Sequence, residues 1–272
     1  MSRFFAVIFD SGVGGLTIYD EVRRMIPDAF YLYVSDPEFA PYGSKSFDEI
    51  EARTHEVLQP YIELRPDVVI IACNTASTVA LPLLRHHFSC PIVGVVPAIK
   101  PAAQISKNKT IGVLATPWTV HSPYMDSLVA DFASGVKVHR LGSLQLVQLA
   151  EAKMRGNKVG VDEVRPIIAP LFDRDESMPD VVVLGCTHFP ILKQELEAAG
   201  PAGVQWVDSG KAIAARSYTF YHSDRPQRTG AFSKNLANTA VLPSGMRDPR
   251  LEECLEGWGF ELQLAENFLS SF

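Results

Sequence analysis

The sequence predicts an α/β fold built from two similar parallel-sheet domains. Short β-branched apolar runs alternate with segments of helical periodicity, which is the pattern of βαβ units. The same rhythm restarts near Thr110, and two segments echo each other: PDVVIIACNT begins at Pro66 and PDVVVLGCTH at Pro179. Both contain Pro-Asp, four apolar residues, one small residue and a cysteine. We therefore expect each half of the chain to present a cysteine at the carboxyl end of a strand.

In the first half, apolar runs predict strands at Phe4 to Phe9, at Tyr31 to Val34 and at Asp67 to Ala72. Between the first two strands, apolar residues at helical spacing predict a helix that starts near Leu16 and is closed by Pro27.

The next two helices of this half also have local signals. Ser46 with Glu49 three residues later forms a capping box, which predicts a helix start. The segment TASTVALPLLRHH is helical in pattern, with Pro82 as a local irregularity.

In the second half, IGVLAT predicts a strand at Ile111 to Thr116, followed by one helix through about Asp131. VVVLG predicts a further strand at Val181 to Gly185. The last segment, Thr239 to Phe272, alternates strand and helix again, and we expect it to pack back on the first half.

Composition excludes several classes of protein. The 272 residues are 47% hydrophobic and carry a formal net charge of −6, so a nucleic-acid partner is not expected. The chain lacks an uninterrupted apolar run of about 18 residues, so a membrane span is not expected. The first apolar run ends on Asp10, as a buried strand does and a signal peptide does not. Four cysteines in a chain of this length do not form a disulfide framework, which favours a reducing cytoplasm.

The two echoed cysteines, Cys73 and Cys186, are the main candidates for chemistry. They lie 113 residues apart, about the length of one small domain. A cysteine between a strand and a helix lies near the positive end of the helix dipole, which favours the thiolate. Two opposed thiols can racemise an amino acid without a cofactor, because one removes the α-proton while the other protonates the opposite face. The alternative is that both are ordinary buried cysteines. We expect the remaining two, Cys90 and Cys254, to be packed in the core.

Three further residues have both a functional and a structural interpretation. Asp10 ends the first predicted strand and is either a site carboxylate or a helix N-cap. His188 follows Cys186 by two residues and is either a proton partner or a histidine satisfied by backbone or water. Glu151 lies on a helical stretch, where a carboxylate is usually solvated.

Five motifs together resemble the glutamate racemase family, within the aspartate/glutamate racemase superfamily. They span most of the chain in the family's order: FDSGVGGLT (9–17), DPEFAPYG (36–43), ACNTAS (72–77), GVVPA (94–98) and GCTHFP (185–190). The closing segment PSGMRDPRLEECLEGWGF also resembles the family's ending.

The resemblance implies a fold and roles for particular residues. It implies two α/β domains related by a pseudo-two-fold axis, residues 1–97 plus 209–272 and residues 98–208, with the active site in the cleft between them. It implies that Cys73 acts on the D-enantiomer, supported by Asp10, and that Cys186 acts on the L-enantiomer, supported by His188 and assisted by Glu151. The positions that match the family's substrate pocket, besides Asp10, His188 and the two cysteines, are Ser11, Pro41, Tyr42, Gly43, Asn74, Thr75, Thr116 and Thr187.

The resemblance also implies a biological setting. The family makes D-glutamate for bacterial peptidoglycan in the cytoplasm, with glutamate as substrate and without a cofactor or metal. Some members are activated by UDP-N-acetylmuramoyl-L-alanine and many are dimers, and the sequence settles neither point for this chain.

Four other functions are alternatives. The segment Gly12-Val13-Gly14-Gly15 is similar to a dinucleotide-binding fingerprint, but Thr17 stands where the third glycine should be. A zinc site lacks paired ligand spacings, although Cys186 and His188 are ligand types. A non-catalytic binding protein would not need both thiols. A racemase for aspartate or another acid is the nearest alternative, and the histidine after Cys-Thr favours glutamate by resemblance.

Overall fold

The computed structural model describes residues 3–173, 177–223, 237–246 and 248–271. Its helices and strands follow one another along the chain in three runs. The first run is β1 (Phe5–Asp10), α1 (Leu16–Met25), β2 (Phe30–Ser35), α2 (Phe47–Ile62), β3 (Val68–Ile71), α3 (Asn74–His87) and β4 (Ile92–Gly94). The second run is α4 (Ile99–Ile105), β5 (Thr110–Ala115), α5 (Pro117–His121), α6 (Pro123–Phe132), β6 (Lys137–Gly142), α7 (Gln145–Met154), α8 (Val161–Ile168), β7 (Val181–Leu184), α9 (Lys193–Ala199) and β8 (Gln205–Val207). The third run is α10 (Gly210–Tyr221), β9 (Thr239–Leu242), α11 (Pro249–Gly257), β10 (Glu261–Leu264) and α12 (Ala265–Leu269).

The chain divides into two compact units, residues 1–95 with 210–272 and residues 96–209. Whether each unit folds as a domain with the boundaries expected from the sequence stays a prediction. The predicted α/β class is confirmed, because each unit holds one parallel sheet.

The sheet of the first unit has six strands in the order β10-β9-β2-β1-β3-β4, all parallel. The C-terminal strands β9 and β10 extend this sheet beyond β2, so the last segment packs on the first half as predicted. Residues 247 and 272 of that segment lie outside the described residues. All of β1, β2 and β3 is buried, which explains why they read as continuous apolar runs.

The sheet of the second unit has four parallel strands in the order β6-β5-β7-β8. Its two faces bury separate apolar clusters, and successive residues of one strand alternate between them. Val181 and Val183 pack in the cluster that includes α4 and α6, whereas Val182 and Leu184 pack in the cluster that includes α7, α8 and α9. Helices therefore cover both faces of this sheet.

The structure corrects one local expectation. The single helix predicted through about Asp131 is two helices, α5 and α6, because Ser122 ends the first and caps the second. Its side chain accepts a hydrogen bond from the Met125 amide, and Pro123 occupies the first helical position. The capping box at Ser46 and Glu49 is confirmed at the start of α2.

The aspartates of the two Pro-Asp segments make equivalent hydrogen bonds in the two sheets. The Asp67 carboxylate accepts a hydrogen bond from the Phe5 amide at 2.7 Å, at the start of β1. The Asp180 carboxylate accepts from the Ser106 hydroxyl at 2.6 Å and from the Lys107 amide at 2.7 Å, in the loop that leads into β5. Each aspartate therefore anchors the entry to the strand that runs beside its own.

We expect replacement of the Asp180 carboxylate to cause a pH-dependent loss of stability. Partial burial opposes the charge of Asp180, but hydrogen bonds from Ser106 and the loop amides lower the pKa of its carboxyl. A depressed pKa stabilises the fold above the pKa of the unfolded chain, and that stability is lost as the pH falls through the folded value. We expect Asp180→Ala to lower the free energy of unfolding by about 1 kcal/mol at neutral pH, a value discounted for solvent screening.

Urea denaturation of wild type and variant measures this difference at neutral pH and again below about pH 3, where it should shrink. Asp131→Ala, on the exposed end of α6, is the matched control and should have little effect. An undiminished difference in acid would contradict the role of the charged carboxylate.

Candidate active site

The candidate residues of the first unit follow neighbouring parallel strands. Asp10 ends β1, and Cys73 comes two residues after β3, which pairs with β1. The Ala72 amide extends this pairing by donating a 2.7 Å hydrogen bond to the Phe9 carbonyl. The carboxyl ends of the two strands therefore bring Asp10 and Cys73 to one edge of the sheet.

Cys73 lies between β3 and α3 as the sequence predicts. It is the N-cap residue of this 14-residue helix, it is buried, and its Sγ lies 3.6 Å from the Ser11 hydroxyl. The helix dipole places partial positive charge at this end, which stabilises a thiolate. Ser11 provides a hydroxyl that can donate to the sulfur or accept from it.

Asp10 does not cap a helix, so the N-cap alternative is wrong. The N-cap of α1 is Gly15, which has no side-chain cap. The fully buried Asp10 carboxylate instead accepts a 2.8 Å hydrogen bond from the Gly12 amide. Gly15 packs so close that an added Cβ would lie 2.7 Å from the Asp10 Cβ and 2.9 Å from the Tyr33 hydroxyl. The glycine therefore permits the close packing of helix and strand end.

Two side chains of β2 hydrogen-bond to the glycine-rich turn after β1. The Tyr33 and Ser35 hydroxyls both donate to the Gly12 carbonyl, at 3.0 and 2.9 Å. These two residues were missed by the sequence analysis, since a buried strand gives no signal that a hydroxyl reaches a neighbouring turn.

The other first-unit candidates lie on two segments. Asn74 and Thr75 open α3 and are buried, and the Asn74 Nδ2 is a buried donor without a hydrogen-bond partner in the described part of the chain. Pro41 and Gly43 flank the buried Tyr42, which donates to Asp36 at 2.8 Å. Burial raises the pKa of the Tyr42 hydroxyl, and the charges of Asp36 and then Cys73 raise it further.

In the second unit the structure brings together Cys186, His188 and Glu151. The Cys186 Sγ lies 3.8 Å from the His188 Nδ1, and the His188 Nε2 lies 2.7 Å from a Glu151 carboxylate oxygen. The two residues at the strand end are buried, and Glu151 reaches them from α7. These contacts form one continuous chain of hydrogen-bonding groups from the Glu151 carboxylate to the Cys186 sulfur.

The charge state of His188 follows from its two partners. Burial alone would lower its pKa, but hydrogen bonds to Cys186 and Glu151 and the charges of both groups raise its pKa well above the ordinary value. The raised pKa therefore favours the imidazolium form of His188. The other Glu151 oxygen pairs with Arg155, four residues further along the chain. The sequence analysis missed Arg155, although its spacing from Glu151 is that of a helical ion pair.

The helix expected after Cys186 is present but does not begin directly at the cysteine. Cys186 is followed by a 3₁₀ turn over Phe189–Leu192, with His188 as its N-cap, and α9 begins only at Lys193. The 3₁₀ turn runs directly into α9, and His188, whose pKa is raised, is the charged side chain next to the Cys186 sulfur. Cys73 and Cys186 are therefore stabilised by different means.

The remaining candidates of the second unit are buried threonines. Thr187 lies between the cysteine and the histidine. Thr116 follows β5 and caps α5, accepting a 3.3 Å hydrogen bond from the Thr119 amide. Capping α5 is sufficient to explain a threonine at position 116, whether or not it contacts a substrate. Strand β5 pairs with β7, the strand that leads to Cys186.

Several other expectations have structural outcomes. Cys90 and Cys254 are half-buried, so the prediction that they are packed in the core is wrong. Among the described residues, no group of three or more His, Cys, Asp or Glu side chains is placed to hold a metal ion. No helix in the described ranges is both long enough and apolar enough to span a bilayer.

Known proteins share both the sequence and the fold of this chain. A family profile described as Asp/Glu/Hydantoin racemase matches residues 16–216. A glutamate racemase from Pectobacterium carotovorum is 50% identical over 218 residues, covering 79% of this chain and 76% of the relative. One from Salmonella typhimurium is 45% identical over 256 residues, covering 94% and 89%.

A solved structure matches along almost the whole length. It is the Escherichia coli glutamate racemase in complex with L-glutamate and the activator UDP-MurNAc-Ala. The TM-score is 0.89 at 42% identity, covering 96% of this chain and 97% of the other. With these matches, the resemblance seen in the sequence motifs is confirmed: the chain belongs to the Asp/Glu/Hydantoin racemase family.

Proposed function

We propose that this protein interconverts L-glutamate and D-glutamate by a two-base reaction that uses Cys73 and Cys186 and no pyridoxal phosphate. The observation that carries the proposal is that two buried cysteines at equivalent strand ends each lie beside a polar side chain, Ser11 at Cys73 and His188 at Cys186. Membership of the racemase family and the identity to glutamate racemases support the reaction class and the substrate.

In the proposed reaction the two thiols exchange roles. From D-glutamate, the Cys73 thiolate removes the α-proton while the Cys186 thiol protonates the opposite face of the carbon. The enzyme is left with a Cys73 thiol and a Cys186 thiolate, which is the state that accepts L-glutamate. Asp10 assists Cys73, and the His188–Glu151 pair holds the Cys186 thiolate between turnovers. The proposal requires that both thiols reach one α-carbon.

The substrate contacts are proposed from polar groups that surround each thiol. The unpartnered Asn74 amide and the Ser11 hydroxyl lie beside Cys73 and offer donors to a carboxylate. The other proposed substrate contacts are Pro41, Tyr42, Gly43, Thr75, Thr116 and Thr187. Such donors matter because an α-proton beside a carboxylate is a weak acid, and fixed dipoles lower the cost of the developing charge.

We propose the role in the cell from the relatives alone. A glutamate racemase supplies D-glutamate for peptidoglycan, which requires a cytoplasmic enzyme and places this chain in cell-wall biogenesis. The Escherichia coli relative binds an activator, UDP-MurNAc-Ala, and the same ligand is proposed here as a regulator. A homodimer is the proposed assembly.

The first test is incubation of the purified protein with L-glutamate in D2O. Loss of optical rotation together with deuterium at the α-position establishes the reaction. If neither change occurs with folded, reduced protein, the activator is added. If glutamate is still not turned over with the activator but aspartate is, aspartate replaces glutamate as the proposed substrate.

Serine at either cysteine position separates the two half-reactions. We expect Cys73→Ser and Cys186→Ser each to lower racemisation at least on the order of a thousandfold, because a serine hydroxyl is a far weaker acid than a thiol and is hardly ever ionised to act as a base. Each variant should still eliminate the leaving group from one enantiomer of a β-substituted glutamate, since elimination needs only one base. Near wild-type racemisation by either variant would refute the two-base scheme, and Cys90→Ser is the control.

Replacing His188 or Asp10, the proposed partners of the two thiols, should slow opposite directions of racemisation unequally. We expect His188→Asn to lower kcat roughly a hundredfold, mainly from L-glutamate, and Asp10→Asn mainly from D-glutamate. The equilibrium constant of racemisation is unity, so kcat/KM must fall equally in both directions. The bias therefore appears in kcat and in the isotope effects of α-deuterated L- and D-glutamate. Identical isotope effects in both variants would remove this assignment of roles.

Removing the charge of Glu151 should lower the pKa of His188. Glu151→Gln removes an anionic hydrogen-bond acceptor, so the raised pKa of His188 should fall and the imidazolium should be lost at lower pH. NMR titration of the histidine measures this, and the alkaline limb of the pH–rate profile should move in the same direction. Glu195→Gln, which breaks the ion pair with Lys153 in the same unit, is the matched control. An unmoved His188 titration in Glu151→Gln would exclude electrostatic coupling.

A further inference from the structure

One buried ionic network has no part in the proton transfers described above. Asp36 follows β2 and is fully buried, and both oxygens of its carboxylate are engaged. One oxygen accepts from the Arg53 Nη2 at 2.7 Å, and the other accepts from the Arg53 Nε and the Tyr42 hydroxyl, both at 2.8 Å. A buried carboxylate that accepts a two-pronged arginine contact and a phenol is fully compensated.

The network joins three separate pieces of the first unit. Asp36 belongs to the sheet, since its amide donates to the Asp10 carbonyl at 3.1 Å. Arg53 lies on α2, and Tyr42 lies in the connection between β2 and α2. We call residues 37–45 of this connection the substrate loop, because it contains the proposed substrate contacts 41–43.

The substrate loop has few other attachments. Its remaining hydrogen bonds in the described structure are internal, from Ser44 and Lys45 back to the 3₁₀ turn. Ring contacts add to the Tyr42 hydrogen bond: Tyr42 packs on Phe9 of β1 and on Phe39, and Arg53 lies over the Phe39 ring. Arg53 thus contacts the loop through Phe39 and controls the acceptor that holds Tyr42.

Stability does not account for an ion pair at this place. A buried ion pair often contributes no more than apolar residues of the same volume, whereas its geometry specifies one arrangement of the groups it joins. The outer carboxylates add little, because Glu38 and Glu56 are 3.6 and 3.8 Å from the guanidinium and mostly exposed. The fixed geometry of the Asp36–Arg53 pair can hold the loop that contains Tyr42 in one conformation.

We propose that Asp36 and Arg53 are positioning residues for the substrate loop, holding Tyr42 and its neighbours in the conformation that receives the substrate. This inference rests on the proposed function for its kinetic consequence, but not for its structural one. The guanidinium fixes the carboxylate, the carboxylate fixes the phenol, and the phenol fixes the backbone of residues 41–43. A misplacement of about 1 Å at such a loop is enough to weaken binding severalfold or more.

The test compares Arg53→Gln with Arg140→Gln. Arg140 is about as exposed as Arg53 and forms an ion pair with the exposed Asp126 in the other unit, so it controls for the loss of an arginine that pairs with a carboxylate. We expect Arg53→Gln to raise KM for both enantiomers on the order of tenfold with a smaller change in kcat. Arg53→Lys keeps one charge but not the two-pronged contact and should fall between wild type and Arg53→Gln. Arg140→Gln should leave KM unchanged.

Amide hydrogen exchange provides a readout that does not depend on turnover. Exchange of the peptide covering residues 37–45 should accelerate in Arg53→Gln and not in Arg140→Gln. Unchanged exchange in folded Arg53→Gln overturns the proposal, as does faster exchange without a change in KM or a fall in kcat alone. If Arg53→Gln does not fold, the same criteria apply to Arg53→Lys. A wild-type protein that does not racemise glutamate refutes the proposed function, and the exchange data still decide whether Arg53 orders the loop.

Discussion

Parallel pairing of neighbouring strands is the constraint that positions the candidate residues in each unit. In the first unit the Ala72 amide continues the pairing of β3 with β1, and in the second unit the Gly185 amide donates to the Leu114 carbonyl at the end of β5. Parallel strands end at the same edge of a sheet, so residues far apart in the sequence emerge there together. Helices on both faces bury the strands and leave that edge as the place where polar side chains can gather.

Much of the fold could be predicted because its signals are local or periodic. The buried strands read as apolar runs, and β1 was predicted within one residue at each end. The helix break at Ser122 was missed although a serine followed by proline is a start signal, because the apolar spacing continues across it. Strand β6 had no readable signal, since KVHRLG mixes charged and apolar residues at the edge of its sheet.

The candidate site could be predicted only in part. The cysteines were identified because the Pro-Asp echo marks equivalent strands, and the structure shows that both aspartates anchor the neighbouring strand. The contact of Glu151 with His188 depends on how α7 packs, which spacing along the chain does not specify. Asp36 begins a sequence motif, whereas its pairing with Arg53 links two elements and has no local signature.

The different surroundings of the two thiols have a consequence for how each responds to pH. The charge that favours a Cys73 thiolate comes from backbone amides of α3, which neither titrate nor change with a side-chain substitution. The charge beside Cys186 is a proton on His188, held there by Glu151. A change of pH therefore acts on the surroundings of Cys186 through the His188 proton, whereas the backbone amides beside Cys73 do not respond to it.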